Sequence, residues 1–127
     1  MFTICIHNLQ FVAFHGCFEE EKILGNKFTV NLEAATNDHK VENINDTVNY
    51  VHLFQIIKKH MDIPTKLLET VMQNIVAEVF TEHLSIVSLE LTITKNHPPI
   101  KELNGRVSVK LNMTRERFLF LNQKILV

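Results

Sequence analysis

Leu89-Glu90-Leu91-Thr92-Ile93-Thr94-Lys95 alternates apolar and polar residues and places a lysine on the apolar phase at its end. Strand side chains point to opposite faces with period two, so Leu89, Leu91, Ile93 and Lys95 share one side. The run reads as a half-buried strand over 86–95 whose last inward position carries an ammonium group. Such a lysine either snorkels to water along its aliphatic stem, or keeps its head where the surroundings tune its pKa, which suits proton transfer. Lys95 is the first candidate functional residue.

On the C-terminal side, His97-Pro98-Pro99 cannot continue the strand, because proline has no N–H to donate. A further strand is expected over 105–114, with Val107, Val109, Leu111 and Met113 on one face. On the N-terminal side the apolar period changes from two to 3.6. Tyr50, Leu53, Phe54, Ile57 and Met61 mark a helix over 49–61. Pro64 separates it from a second helix over 66–83, marked by Leu68, Val71, Met72, Ile75 and Val79. Asn45-Asp46-Thr47 supplies turn and capping groups before the first of them.

The first third of the chain reads as two strands. Over 2–15, Phe2, Ile4 and Ile6 share one face, and Leu9, Phe11 and Ala13 continue it in the opposite parity. This phase slip implies a bulge near His7 and Asn8. An acidic connection, 16–26, bounded by Gly16 and Gly25, leads to a strand over 27–37 with Phe28, Val30, Leu32 and Ala34 on one side. The order strand, strand, helix, helix, strand, strand implies an α+β domain: a four-stranded antiparallel sheet with two helices on one face. The open edges of such a sheet favour self-association.

At 127 residues the chain is of single-domain length and large enough for a real core. With 46% hydrophobic and 21% charged residues it has the composition of a soluble globular protein. A formal net charge of -1 and the lack of a basic run beyond Lys58-Lys59 argue against nucleic acid as a partner. Neither a signal peptide nor a membrane-spanning stretch is expected. Cys5 and Cys17 form neither a CxxC pair nor a disulfide framework, and a cytoplasmic location follows as the expectation. The seven histidines contain no HxH or HExxH pattern, so no metal site is expected. The tail Arg115–Val127 is apolar enough to pack on its own domain, a neighbouring subunit or another partner.

Four more polar residues stand beside Lys95. Glu21 lies in Phe18-Glu19-Glu20-Glu21-Lys22, a charge run whose ordinary reading is a solvated loop. Glu69 opens the second helix, where a carboxylate complements the positive helix end, or with the free backbone N–H groups holds an amide or guanidine-like edge. Tyr50, the single tyrosine, opens the first helix. His15, between Phe14 and Gly16, reads as a hydrogen-bonded residue at a strand end.

Taken together, Phe14-His15-Gly16, Glu21-Lys22-Ile23-Leu24-Gly25, Asn45-Asp46-Thr47-Val48-Asn49-Tyr50, Leu67-Leu68-Glu69 and Thr94-Lys95-Asn96-His97-Pro98-Pro99-Ile100 closely resemble the dihydroneopterin aldolases of folate biosynthesis. The resemblance covers residues 1–115 in order and leaves 116–127 as an extension without a counterpart. It implies the ββααββ tunnelling fold, with the sheets of four subunits joined into a barrel, two rings stacked into an octamer, and active sites at subunit interfaces. It also implies the roles. Glu69 would accept the pterin 2-amino and N3 hydrogens, and the backbone at Leu68 would hold the ring carbonyl. Val48 and Tyr50 would come from the neighbouring subunit. Lys95, with Glu21 and a water, would handle the proton of the substrate hydroxyl, and Tyr50 would help protonate the carbon left after cleavage. No cofactor, metal or Schiff base is implied.

Two departures stand out. Lys101-Glu102-Leu103-Asn104-Gly105 replaces the proline and glycine that commonly follow Pro98-Pro99-Ile100, and Phe14 stands where a tyrosine is common. The alternatives are a dihydroneopterin triphosphate epimerase on the same scaffold, for which Lys101 and Arg106 are candidate phosphate partners, and a non-catalytic pterin-binding ring protein. A zinc enzyme of the pyruvoyl-tetrahydropterin synthase type would need a histidine triad that the sequence pattern does not offer.

Overall fold

The computed structural model describes residues 1–126, with side-chain surroundings described through residue 123; Val127 and the side chains of residues 124–126, part of the apolar tail, lie outside the described residues. Nine elements follow in order: β1 (Phe2–Ala13), α1 (Glu19–Ile23), β2 (Asn26–Thr36), a 3₁₀ turn (Ile44–Asp46), α2 (Tyr50–Met61), α3 (Leu68–Glu82), β3 (Ile86–Lys95), β4 (Val107–Thr114) and α4 (Arg115–Leu126). The strands form one antiparallel sheet in the order β1-β2-β3-β4. This is the expected strand, strand, helix, helix, strand, strand frame, with three further elements added.

The phase slip in β1 is a bulge. Ile6 pairs with Leu32 and Leu9 with Val30, so three steps along β1 match two along β2. Asn8 absorbs the extra residue at φ 56°, a left-handed conformation that asparagine tolerates. Asn31 caps the bulge by accepting the Asn8 N–H at 2.8 Å. Without the slip, Leu9, Phe11 and Ala13 would point away from the core.

One face of the sheet is apolar. Phe28, Val30, Leu32 and Ala34 of β2 and Leu89, Leu91 and Ile93 of β3 pack under Leu53, Ile56, Ile57 and Met61 of α2 and Val71, Met72, Ile75, Val76, Val79 and Phe80 of α3. Each large side chain so buried contributes about 1.5–3 kcal/mol relative to exposure. Two details of the helical faces differ from the periodic reading. Ile56, Val76 and Phe80 belong to the core as well, while Tyr50, 66% exposed, and the half-buried Phe54 lie outside it.

The described part of the tail forms α4, and its first turn packs on its own chain. Arg115 donates to the carbonyl oxygens of Phe80, His83 and Ile86, which end α3 and begin β3, at 3.1, 2.6 and 2.8 Å. Phe118 stacks on Phe80 with ring centroids 5.1 Å apart.

Candidate active site

The chain leaves β1 through Phe14, His15 and Gly16, makes the single turn of α1, and re-enters the sheet through Gly25. At Gly25, φ is 75° and a Cβ would come within 3.1 Å of the Ala13 carbonyl and the Phe14 ring, so a glycine is needed for the crossing. Of the three consecutive glutamates in α1, Glu19 and Glu20 face solvent and Glu21 turns inward to 3% exposed. The solvated-loop reading of this charge run therefore fails at its third residue. The physical reason is a partner far away in sequence.

That partner is Lys95. Its ammonium forms an ion pair and hydrogen bond with Glu21 Oε2, with only 15% of the lysine side chain and 4% of the glutamate side chain exposed. The register sets Lys95 directly opposite Phe28, and Nζ lies 5.8 Å from the Phe28 ring centroid. A cation over an aromatic face gains further attraction when partly desolvated. The inward lysine thus does not snorkel; it ends the apolar face of the sheet with a buried charge pair.

His15 completes the floor of this region. It is fully buried, with its ring edge-on to Phe28 at 5.5 Å and 63°. Burial is the main cause that holds its pKa below the ordinary 6.5; Lys95's charge acts in the same direction, and the Met61 backbone opposes. Met61 approaches the ring, yet neither ring nitrogen closes a hydrogen bond. The expected hydrogen-bonded histidine is instead a buried imidazole with neither ring nitrogen paired, whose charged form burial disfavours.

The remaining candidates sit at element starts. Glu69 is the second residue of α3, exposed, at a helix N-terminus with no side-chain cap. Its preceding loop is tied to the Glu21 segment: Gly16 N–H donates to the Thr65 carbonyl at 3.0 Å, and the Cys17 thiol to that of Lys66 at 3.7 Å. Leu68 is half-buried beside it. Tyr50 begins α2, whose N-cap Asn49 accepts the Val51 N–H at 2.9 Å, and Val48 is buried within its own chain. Asp46 fixes the approach to this helix by accepting the N–H groups of Glu42 and Asn43, which hold its carboxyl below the usual range. Among the described residues, no hydrogen bond, ion pair or ring contact joins Tyr50, Val48 or Glu69 to Lys95 and Glu21.

A supporting network at the end of β3 was not singled out from sequence. Gln10 donates to Thr29 Oγ1 at 3.0 Å, Thr29 Oγ1 donates to Asn96 Oδ1 at 3.2 Å, and the Asn96 N–H bonds the Lys27 carbonyl at 2.9 Å. Asn26 Nδ2 reaches the His97 carbonyl at 2.7 Å. Polar residues on the solvent phase of β1 and β2 were the available signal. Beyond them, the loop that departs from the family pattern borders a cleft of about 550 Å³ lined by Asn96, His97, Pro98, Leu103, Asn104 and Arg106. Another cleft, about 510 Å³, runs along α4, far in sequence from the charge pair.

An antiparallel sheet with helices on one face, closing on a buried lysine–carboxylate pair, defines a small α+β domain. The family model described as FolB, dihydroneopterin aldolase, matches residues 4–112, and the chain belongs to the dihydroneopterin aldolase family. A dihydroneopterin aldolase of Bacillus subtilis (strain 168) is 28% identical over 121 residues, covering 92% of this chain and 99% of that protein. The fold matches the crystal structure of the E. coli dihydroneopterin aldolase in complex with neopterin with a TM-score of 0.77 at 17% identity, over 89% of this chain and 99% of that one. A uricase from Bacillus fastidious shares the fold with a TM-score of 0.71 at 11% identity, over 95% of this chain and 45% of that one. The tunnelling fold therefore carries more than one chemistry, and the family rests on sequence.

Proposed function

We propose that this chain cleaves 7,8-dihydroneopterin by a retro-aldol reaction to 6-hydroxymethyl-7,8-dihydropterin and glycolaldehyde, a step of tetrahydrofolate biosynthesis. The observation that carries the proposal is the buried Lys95–Glu21 pair, in a chain of the dihydroneopterin aldolase family. The neopterin held by the E. coli relative supports a pterin as the ligand class.

The chemistry asks little of the protein beyond placement and proton transfer. The proton leaves the hydroxyl on the second side-chain carbon, the bond between the first and second carbons breaks, and glycolaldehyde departs with a new carbonyl. The bonding pair needs a sink, which many aldolases provide with a lysine Schiff base or a metal. A 7,8-dihydropterin already has a C=N bond beside the side chain, so the pair moves into the ring as an enamine. The first carbon then takes a proton. Positioning and general acid–base groups suffice for both steps.

In this scheme Lys95, with Glu21 and a water, moves the hydroxyl proton, and Tyr50 delivers a proton to the carbon. Glu69 accepts from the pterin 2-amino and N3 groups, and the Leu68 backbone N–H holds the ring carbonyl. Tyr50 and Val48 belong to a neighbouring subunit in a tetrameric ring, two of which stack into an octamer. The exposure of Tyr50 supports this, as do β1 and β4, which are free sheet edges in the single chain. Residues 1–115 act as the catalytic domain, with α4 as an appended brace. No described helix is long and apolar enough to cross a membrane, and the proposed site of action is the cytoplasm.

The deciding experiment incubates the purified protein with 7,8-dihydroneopterin, without added metal, and resolves the products by chromatography. Both products are expected. Their absence, with substrate still bound, would transfer the assignment to the triphosphate epimerase or to a pterin-binding module.

A further inference from the structure

The Glu21 carboxylate lies in space that a side chain at residue 16 would fill. A Cβ on Gly16 would fall well inside contact distance of Glu21 Cδ and of both carboxylate oxygens, and Gly16 has φ 144°, a conformation L residues rarely adopt. Which group would yield is settled by what surrounds them. The main chain is tied on both sides, by the fully buried His15 and by the Gly16–Thr65 backbone bond. The Glu21 side chain is the free end. Moreover, Glu21 is the one buried residue of α1, whose neighbours Phe18, Ile23 and Leu24 are 56%, 72% and 76% exposed. Little else on this turn holds the carboxylate against Lys95.

We propose that Gly16 is a positioning residue for the reaction: its missing side chain opens the berth in which Glu21 meets Lys95, and its N–H ties that berth to the loop that presents Glu69. The residue touches no substrate and acts through Glu21. A methyl group at position 16 pushes the carboxylate off the ammonium and also strains the backbone at φ 144°; the double variant, which keeps the strain and lacks the carboxylate, separates the two effects. This inference rests on the aldolase reading for its kinetic consequence but not for its structural one.

The test compares the wild type with Gly16→Ala, Glu21→Ala and the double variant. Wild-type turnover of 7,8-dihydroneopterin comes first, and its failure overturns the aldolase reading alone. Given turnover, Gly16→Ala is expected to lower kcat with little change in KM, and the double variant to match Glu21→Ala within about twofold, because both changes break one interaction. A wild-type kcat for Gly16→Ala, or losses that multiply in the double variant, would overturn the proposal. A second readout needs no turnover: the rate at which acetic anhydride modifies Lys95, followed by peptide mass spectrometry. Modification is expected to rise several-fold in Gly16→Ala and to equal that of Glu21→Ala in the double variant; protection as in the wild type overturns the inference. Should Gly16→Ala fail to fold, the double variant, with the carboxylate gone, is expected to fold; failure in both backgrounds assigns the glycine to backbone strain and refutes the positioning role.

Discussion

Lys95 and Glu21, 74 residues apart in the chain, close an ion pair at the end of β3 with most of both side chains withdrawn from water. Removing one partner of such a pair leaves the other charged and desolvated, which typically costs about 3–5 kcal/mol. The pair is neutral overall and rests on Phe28, so its stability depends on both members being present.

Lys95→Ala is therefore expected to act on chemistry and on stability together. Loss of a positioned proton-transfer group predicts a fall in kcat of about 10²–10⁴-fold. Pterin affinity, set on this reading by Glu69 and Leu68, should survive in part. Steady-state kinetics alongside equilibrium binding of neopterin separates the two effects, and unchanged turnover would remove Lys95 from the mechanism.

Glu69→Ala should show the opposite division. Its carboxylate sits at the uncapped start of α3 and is proposed to accept two ligand hydrogens. Each hydrogen bond to a charged group contributes about 1.5–3 kcal/mol, so losing both should raise the dissociation constant by about a hundredfold or more, with kcat far less affected. Calorimetric titration with neopterin would measure this; wild-type affinity in the variant would refute the anchoring role.

What the sequence made legible follows from local period. β3 was readable because apolar and polar residues alternate over 89–95, although its first residue, the buried Ile86, sits in the other parity across a register shift, and the β1 bulge announced itself as a change of parity between Ile6 and Leu9. The inward turn of Glu21 had no such signal. α1 is one turn long and carries three successive glutamates, and the force that buries the third comes from a lysine on another strand. The interior reach of α3 was underread for a related reason: Val76 and Phe80 extend its apolar stripe, since β3 and α4 both lean on it. The order of α4 likewise depends on Arg115 finding three carbonyls across the chain, which no periodic pattern encodes. The proposed partnership of Tyr50 with Lys95 was legible only through resemblance, and the single chain leaves that tyrosine facing solvent.

Tyr50 accordingly offers a test of shared sites. Tyr50→Phe is expected to slow formation of the hydroxymethyl product, because the carbon loses its proton donor. If the active site takes Lys95 from one subunit and Tyr50 from the next, inactive Lys95→Ala and slow Tyr50→Phe proteins should regain activity when unfolded together and refolded as mixed rings. Some interfaces then carry both native residues. Activity that never exceeds the sum of the two parents would argue for sites contained within one subunit.

The pH dependence of stability isolates the buried histidines. Burial holds His15 below its ordinary 6.5, with Lys95's charge adding to the effect. Burial likewise lowers His83, reinforced by His52, whose Nδ1 lies 2.8 Å from His83 Nε2, a contact that needs at least one neutral ring as acceptor. In the unfolded chain both titrate near 6.5, so just below that pH the unfolded state binds more protons than the native one. Stability must then fall as pH drops beneath 6.5, by up to about 1.4 kcal/mol per pH unit for each histidine that stays neutral. The depressed carboxyls of Asp46 and Glu78 lose their contribution only at lower pH, under their ordinary 3.8 and 4.5. Urea unfolding at pH 7.5, 6.5 and 5.5 should show a declining midpoint at constant m-value. His15→Leu should flatten that decline by about one proton's worth, and His83→Gln should flatten it separately, because the two rings do not share partners. A slope as steep in His15→Leu as in the wild type would mean that the ring is protonated within the fold, and the neutral imidazole beneath Lys95 would have to be abandoned.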